Sequence, residues 1–309
     1  MTQPIPWLTP DVGLVVSTTR RWTDFHISNG TLLRGTAATK ALDITVGDFI
    51  SYSEGTQKGY LITEIFERKN LLSRQIGAKV RRLASNIDHL YIVTALGALF
   101  NTHFIDRIMC TAHSQDIPCS LIVNKCDLEL DTESEKLIDV YQSLELEVLL
   151  TSTKQKRGLE SLYSSLSNTS HQVICLAGVS GVGKSSILNL LVPEAERETG
   201  KVSEKTGQGR QTTSQAFAYP YLSHNQPPIF IVDLPGVQNF GITHLSRDEI
   251  EQGFAEFAHL SQQCEYGDCR HIAEEICGVK SALAQGALSD SRYQSYLNML
   301  EEQERFREY

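Results

Sequence analysis

The chain reads as a multidomain α/β protein: an all-β N-terminal barrel, a nucleotide-binding α/β sheet and a metal-binding helical tail. Three observations predict this. Short strand-like runs separated by turn residues occupy the first 66 positions, a glycine-rich loop stands between an apolar run and a helix-like segment at 178–185, and four soft metal ligands crowd into residues 264–277.

The barrel comes first. Runs at Gly13–Ser17, Thr23–Ile27, Thr31–Gly35, Asp48–Tyr52 and Tyr60–Phe66, punctuated by Asn29-Gly30, Gly47 and Gly55, fit five short strands closing on themselves. From Leu90 to Asp233 strand-like runs alternate with helical ones, the pattern of a parallel sheet covered by helices. From Arg247 the chain is charged and helical, and Tyr293, Tyr296, Leu297, Leu300 and Phe306 recur at helical spacing, which reads as a packing face.

The most informative stretch is Gly178-Val179-Ser180-Gly181-Val182-Gly183-Lys184-Ser185, followed by Ser186, after the apolar run Val173-Ile174-Cys175-Leu176-Ala177. This is a phosphate-binding loop. Its glycines let backbone N–H groups turn in on phosphate oxygens, Lys184 reaches the β- and γ-phosphates, and Ser185 offers its hydroxyl to Mg²⁺. Asn124-Lys125-Cys126-Asp127 closes the apolar run Ser120-Leu121-Ile122-Val123 and nominates the base. A carboxylate here accepts two hydrogen bonds from guanine N1–H and the 2-amino group; adenine lacks both, so its carboxylate would stay unpaired. Three companions support this reading: Ser152-Thr153-Lys154 after Val148-Leu149-Leu150, the pair Thr212-Thr213, and Asp233-Leu234-Pro235-Gly236 after Pro228–Val232. Asp233 and the threonines suit the Mg²⁺ shell, and Gly236 can donate its N–H to a γ-phosphate.

The order of these pieces is permuted. The base motif at 124 and the Ser-Thr-Lys loop at 152 precede the phosphate loop at 178, the reverse of the usual arrangement. Joining nearby termini and opening another loop preserves every strand pairing, so permutation is physically tolerable. The segment after Asp233 then leads straight into the tail, where Cys264, Cys269, His271 and Cys277 form a C-x4-C-x-H-x5-C run. Three thiolates and an imidazole make the donor set of a closed structural zinc site.

With these motifs in place, the sequence resembles the RsgA family, the circularly permuted, ribosome small-subunit-dependent GTPases of bacteria. The resemblance runs through Leu71-Leu72-Ser73-Arg74, Asn86-Ile87-Asp88, the motifs at 124 and 178, Gly209-Arg210-Gln211-Thr212-Thr213, Asp233 to Gly236, Phe240-Gly241 and the cysteine cluster. It implies an OB-fold barrel over residues 1–72, a permuted GTPase domain over 73–243 and a zinc-binding helical domain over 244–309. It also implies a GTPase of late small-subunit maturation, binding GTP and GDP with Mg²⁺ and contacting the subunit and its rRNA. Lys184, Gln211, Thr212 and Thr213 are the expected catalytic group. One departure stands out: the family usually carries a histidine where this chain has Gln211, and Val237 follows Gly236. A glutamine amide can orient water; the alternative is a GTP- and RNA-binding assembly module with negligible turnover.

Composition narrows the setting. No run approaches the ~18 apolar residues of a membrane span, and the first residues lack a signal pattern. Seven cysteines, three of them in the cluster, suit a reducing compartment, so a cytoplasmic protein is expected, and it is expected to be a monomer. The net charge of −9 disfavours indiscriminate nucleic-acid binding, but it is uneven: residues 1–90 carry eleven Lys or Arg against eight Asp or Glu, a net +3 that leaves −12 elsewhere. RNA contact is therefore expected at the N-terminal end.

Overall fold

The computed structural model describes residues 11–55, 59–77, 79–144, 146–167, 172–193, 195, 216–221, 228–234 and 240–307. Gln211, Thr212, Thr213 and Gly236 lie outside these residues, as do Pro235 and Val237.

Strands β1 (Val12–Thr18), β2 (Thr23–Ile27), β3 (Leu32–Ala37), β4 (Phe49–Glu54) and β5 (Tyr60–Ile65) form a closed barrel in the order β1-β2-β3-β5-β4, sealed by the parallel β3–β5 pairing. Its interior is small, with Val15, Phe25, Ile50 and Ile62 fully buried and Tyr52 and Tyr60 packed on the Phe25 ring. Gly13 is required here, because a Cβ would sit 2.3 Å from a Phe25 ring carbon.

Strands β6 (Leu71–Ile76) and β7 (Lys79–Ser85) form a separate antiparallel hairpin. Buried Asp48 joins it to the barrel. Its carboxylate accepts from Arg68 Nε at 2.7 Å, the Ser85 hydroxyl at 2.6 Å and the Thr45 N–H at 2.7 Å, so a fully desolvated charge is paired and hydrogen-bonded. Asn86 donates to the Gly47 carbonyl and accepts from the Lys69 N–H, while Asn70 exchanges two bonds with the Ile87 backbone. Asp88 then accepts from the N–H groups of Gln172 and Val173, which brings the strand before the phosphate loop into line.

The second sheet comprises β8 (His89–Ala95), β9 (Cys119–Asn124), β10 (Val148–Leu150), β11 (Val173–Ala177), β12 (Phe217–Tyr221) and β13 (Ile229–Asp233), ordered β10-β9-β8-β11-β13-β12. Five strands are parallel, but β12 runs antiparallel to β13, so the sheet is mixed rather than wholly parallel. As the edge strand it tolerates Pro220, which has no N–H for a further ladder. Helices α1 (Thr102–His113), α2 (Thr132–Ser143), α3 (Leu159–Ser167) and α4 (Lys184–Leu191) pack around it. Asn101 caps α1 and Asp131 caps α2, each accepting from the N–H three residues on.

The tail holds α5 (Arg247–Gln252), α6 (Ala255–Leu260), α7 (Gly278–Ala284) and α8 (Asp290–Arg307). Ser246 and Glu249 form a capping box that starts α5. One buried network ties tail to sheet: Arg292, 1 % exposed, donates to Asp106 of α1 at 2.6 Å and to both oxygens of Glu256, and Tyr141 of α2 donates to Asp106 at 2.9 Å. The Phe254 ring lies 4.3 Å under the same guanidinium. Tyr293, Tyr296 and Leu300 are buried as the helical spacing predicts, but Phe306 at the end of α8 is 41 % exposed and packs less than expected. Among the described residues no helix is long and apolar enough to cross a membrane.

Candidate functional site

Strands β9, β10, β11 and β13 are parallel, so their C-terminal ends deliver Asn124, Thr151-Ser152, Gly178 and Asp233 to one edge of the sheet. Open α/β sheets bind ligands in the crevice outside these strand ends.

Asn124 is the pivot. Its amide donates to the Val182 carbonyl inside the phosphate loop at 2.9 Å, and its oxygen accepts from the Thr151 hydroxyl at 3.2 Å and the Thr153 N–H at 3.3 Å. Gly183 meets this amide directly: its φ is +100°, and a Cβ would lie 2.2 Å from Asn124 Nδ2, so glycine is needed on both counts. Gly183 is also the N-cap of α4, whose Ile187, Leu188 and Leu191 are buried against the sheet. Ser180, Gly181, Ser185 and Ser186 are solvent-exposed, as an anion-receiving turn requires.

Lys125 turns the chain with φ +63°, and the Cys126 N–H donates to Thr151, locking the base motif to the loop after β10. Asp127 accepts from the Ser152 hydroxyl at 2.6 Å, and Lys154 Nζ stands 3.7 Å away. The Ser152 bond above all, with help from Lys154, holds the Asp127 carboxyl below its ordinary range, so it is ready to accept hydrogen bonds. Paired backbone bonds between Ser152 and Arg157 close this loop.

Lys184 is buried and donates to the carbonyls of Gly178 at 2.7 Å and Val179 at 3.1 Å. Burial pushes its pKa down, and the charge of Asp233 opposes that shift. Burial pushes Asp233 up to about 6 against the pull of Lys184. Asp233 Oδ1 is buried with no hydrogen-bond partner among the described residues. An orphaned carboxylate oxygen and the exposed Ser185 hydroxyl are oxygen donors of the kind Mg²⁺ takes.

The tail brings Cys264, Cys269, His271 and Cys277 together, with all four donor atoms within 4.8 Å of one another. This cluster could hold a metal ion. His271 Nδ1 lies 3.3 Å from Cys277 Sγ and 3.6 Å from Cys264 Sγ, while Nε2 faces Glu251 Oε1 at 3.5 Å. With a metal on the thiols, Nδ1 would be the ligand atom and Nε2–H would face the Glu251 carboxylate. The first turn of α7 points N–H groups at sulfur, Gly278 to Cys264 and Lys280 to Cys277, each at 3.4 Å. Burial opposes ionisation of Cys277, but the Lys280 N–H and the His271 ring outweigh it and hold the thiol below its ordinary value. Arg247 buttresses the loop by donating to the Cys269 and Asp268 carbonyls.

Sequence reasoning missed Glu251, Arg247, Thr151 and Asn70, and it quoted Asn86-Ile87-Asp88 for the resemblance without reading their supporting role. Glu251 and Arg247 sit on a helix that shows only charge, and their partners lie about 20 residues ahead.

The RsgA GTPase family profile matches residues 65–243. A relative named small ribosomal subunit biogenesis GTPase RsgA, from Actinobacillus succinogenes, is 31% identical over 298 residues, covering 93% of this chain and 83% of its own length. The protein of the same name from Flavobacterium psychrophilum is 34% identical over 272 residues, 84% of this chain and 80% of the relative. Among solved structures, YjeQ from Thermotoga maritima superimposes with a TM-score of 0.73 at 27% identity, covering 95% of this chain and 98% of that one. The circularly permuted GTPase YloQ shares the fold, with a TM-score of 0.67 at 24% identity over 95% of each chain. The permuted motif order, the strand ends that gather those motifs and the matches across nearly the whole length lead to one assignment: this chain belongs to the RsgA GTPase family.

Proposed function

We propose that this chain is a GTPase of late small ribosomal subunit maturation, that the subunit stimulates its hydrolysis, and that hydrolysis drives release. The relatives' shared name supports the pathway. The observation that carries the nucleotide reading is the Asn124 bridge, which ties the loop we assign to the base to the loop we assign to the phosphates.

In this reading Asp127 accepts from guanine N1–H and the 2-amino group, with Asn124, Lys125 and Cys126 shaping the pocket and Ser152, Thr153 and Lys154 closing it. The N–H groups from Gly178 through Ser186 cradle the phosphates. Lys184 exchanges the Gly178 and Val179 carbonyls for β- and γ-phosphate oxygens. Ser185, Thr212, Thr213 and Asp233 would hold Mg²⁺, which neutralises phosphate charge. Gln211 would orient the attacking water, and Gly236 would meet the γ-phosphate. The Cys264, Cys269, His271 and Cys277 set takes one structural Zn²⁺. The divisions at 72/73 and 243/244, RNA contact through the N-terminal domain, a monomeric state and a cytoplasmic location complete the proposal.

Co-sedimentation tests it. With a non-hydrolysable GTP analogue the protein pellets with purified small subunits, and with GDP it stays in the supernatant. Equal pelleting in both states would contradict nucleotide-controlled release.

A further inference from the structure

His271, the imidazole of the cysteine cluster, stands on left-handed backbone at φ +59°, an uncommon place for a residue with a side chain and one it keeps only where its surroundings impose it. Its ring is 1 % exposed and lies edge-on to Phe257 at 5.6 Å. Neighbouring groups impose the conformation from both sides. Glu274 Oε1 accepts from the Arg270 N–H at 2.6 Å and Glu274 Oε2 from the Ile272 N–H at 2.9 Å, so one carboxylate spans the N–H groups just before and just after His271. The Glu274 carbonyl accepts from Lys280 Nζ at 2.6 Å, which ties the same residue to α7. From α8, the Tyr293 hydroxyl donates to the His271 carbonyl at 2.6 Å and the Tyr296 hydroxyl to the Arg270 carbonyl at 3.2 Å. Burial opposes the charge on Glu274, but the N–H groups of Arg270, Glu274 itself, Ile272 and Ala273 outweigh it and hold the carboxyl down at about 2. Hydrogen bonds to an ionised acceptor are about twice as strong as neutral ones. Glu275, next along the chain, is exposed.

A left-handed residue clamped through the peptides around it is a ligand set in place ahead of its metal. We infer that Glu274 is a positioning residue of the cluster: it clasps the chain on both sides of His271 and holds the imidazole where it reaches the thiols, with Tyr293 as a second clamp from α8. The inference rests on the reading of the cluster as a zinc site and adds two residues outside the donor set. A loop free to leave the left-handed region would have to re-enter it at each binding event, and that ordering cost is taken from metal affinity. Glu251 and Glu274 then divide the work, the first on the far nitrogen of the ring and the second on the backbone that carries it.

The full-length protein, loaded with zinc and titrated against a competing chelator, tests this. Glu274→Gln keeps an acceptor for one N–H but turns an amide donor on the other, and should weaken zinc binding about tenfold. Glu275→Gln removes the same charge from an exposed neighbour and should leave zinc affinity within about twofold of the parent. Tyr293→Phe deletes one hydroxyl and should weaken zinc binding about threefold. Cobalt in place of zinc gives a second readout. At saturation the visible spectrum of Glu274→Ala should move toward that of His271→Ala, because a released imidazole yields its coordination position to water, a change that looser packing of the tail alone would not produce. GTP affinity of the Glu274 and Glu275 variants, measured by calorimetry, should match the parent and verifies their folding. Equal zinc affinity in Glu274→Gln and Glu275→Gln, or a parent spectrum in cobalt-saturated Glu274→Ala, would overturn the inference. A parent protein that holds no zinc when prepared without chelator would instead remove the reading of the cluster itself.

Discussion

Asp233 stores instability that its ligands should relieve. Its carboxyl is 7 % exposed, and burial raises it from an ordinary 3.8 to about 6. A carboxyl raised in the folded state binds more protons folded than unfolded between those values. Stability is therefore fully present below about 4 and is lost as pH rises through about 6. Two pKa units at 1.36 kcal/mol each make the loss about 3 kcal/mol by pH 8. Asp233→Asn removes the charge and keeps the shape. Urea unfolding of nucleotide-free protein, followed by circular dichroism, should show the variant more stable than the parent by up to about 3 kcal/mol at pH 8 and no more stable at pH 4. Saturating Mg·GTP should reverse the order, because the parent alone gains the full binding term. A variant no more stable at pH 8, or stabilised equally at both pH values, would refute the electrostatic account.

Four further outcomes follow from the same geometry. Asp127→Asn should move nucleotide preference from GTP to xanthosine triphosphate, measured by competition, since one acceptor becomes a donor. Gly183→Ala places a methyl against the Asn124 amide at φ +100° and should cut GTP affinity at least tenfold by calorimetry. Glu251→Gln should lower zinc affinity about tenfold against a competing chelator while leaving GTP binding unchanged, as loss of a carboxylate holding a metal-bound imidazole does. Arg292→Met strands the buried Asp106 carboxyl and should destabilise the protein by about 3–5 kcal/mol, a cost that Asp106→Leu in the same chain should largely recover.

What could be read from the sequence was local. The five barrel strands showed as short strand-like runs between Gly or Asn turns, and the phosphate loop as a glycine spacing that follows a strand and opens a helix. The cysteine cluster was legible because its ligands lie within fourteen residues. The β6–β7 hairpin was not: β7 reads Lys-Val-Arg-Arg-Leu-Ala-Ser, with exposed charges where alternation would mark a strand. Long-range pairs carry no local signal at all. Arg292 finds Asp106 across 186 positions and Asn124 finds Val182 across 58, and neither partner's neighbourhood in the chain shows that it will be buried against the other. The antiparallel β12 was hidden for a related reason, since strand direction at a sheet edge depends on the connection and not on the strand's composition.

GTP turnover titrated with purified small ribosomal subunits tests the central claim most directly. The account predicts slow intrinsic hydrolysis that rises with subunit concentration to saturation, abolished by Lys184→Ala and sharply reduced by Gln211→Ala at little change in GTP affinity. Turnover that stays at the intrinsic rate as subunits are added would contradict it, leaving a nucleotide-binding assembly module in place of an enzyme.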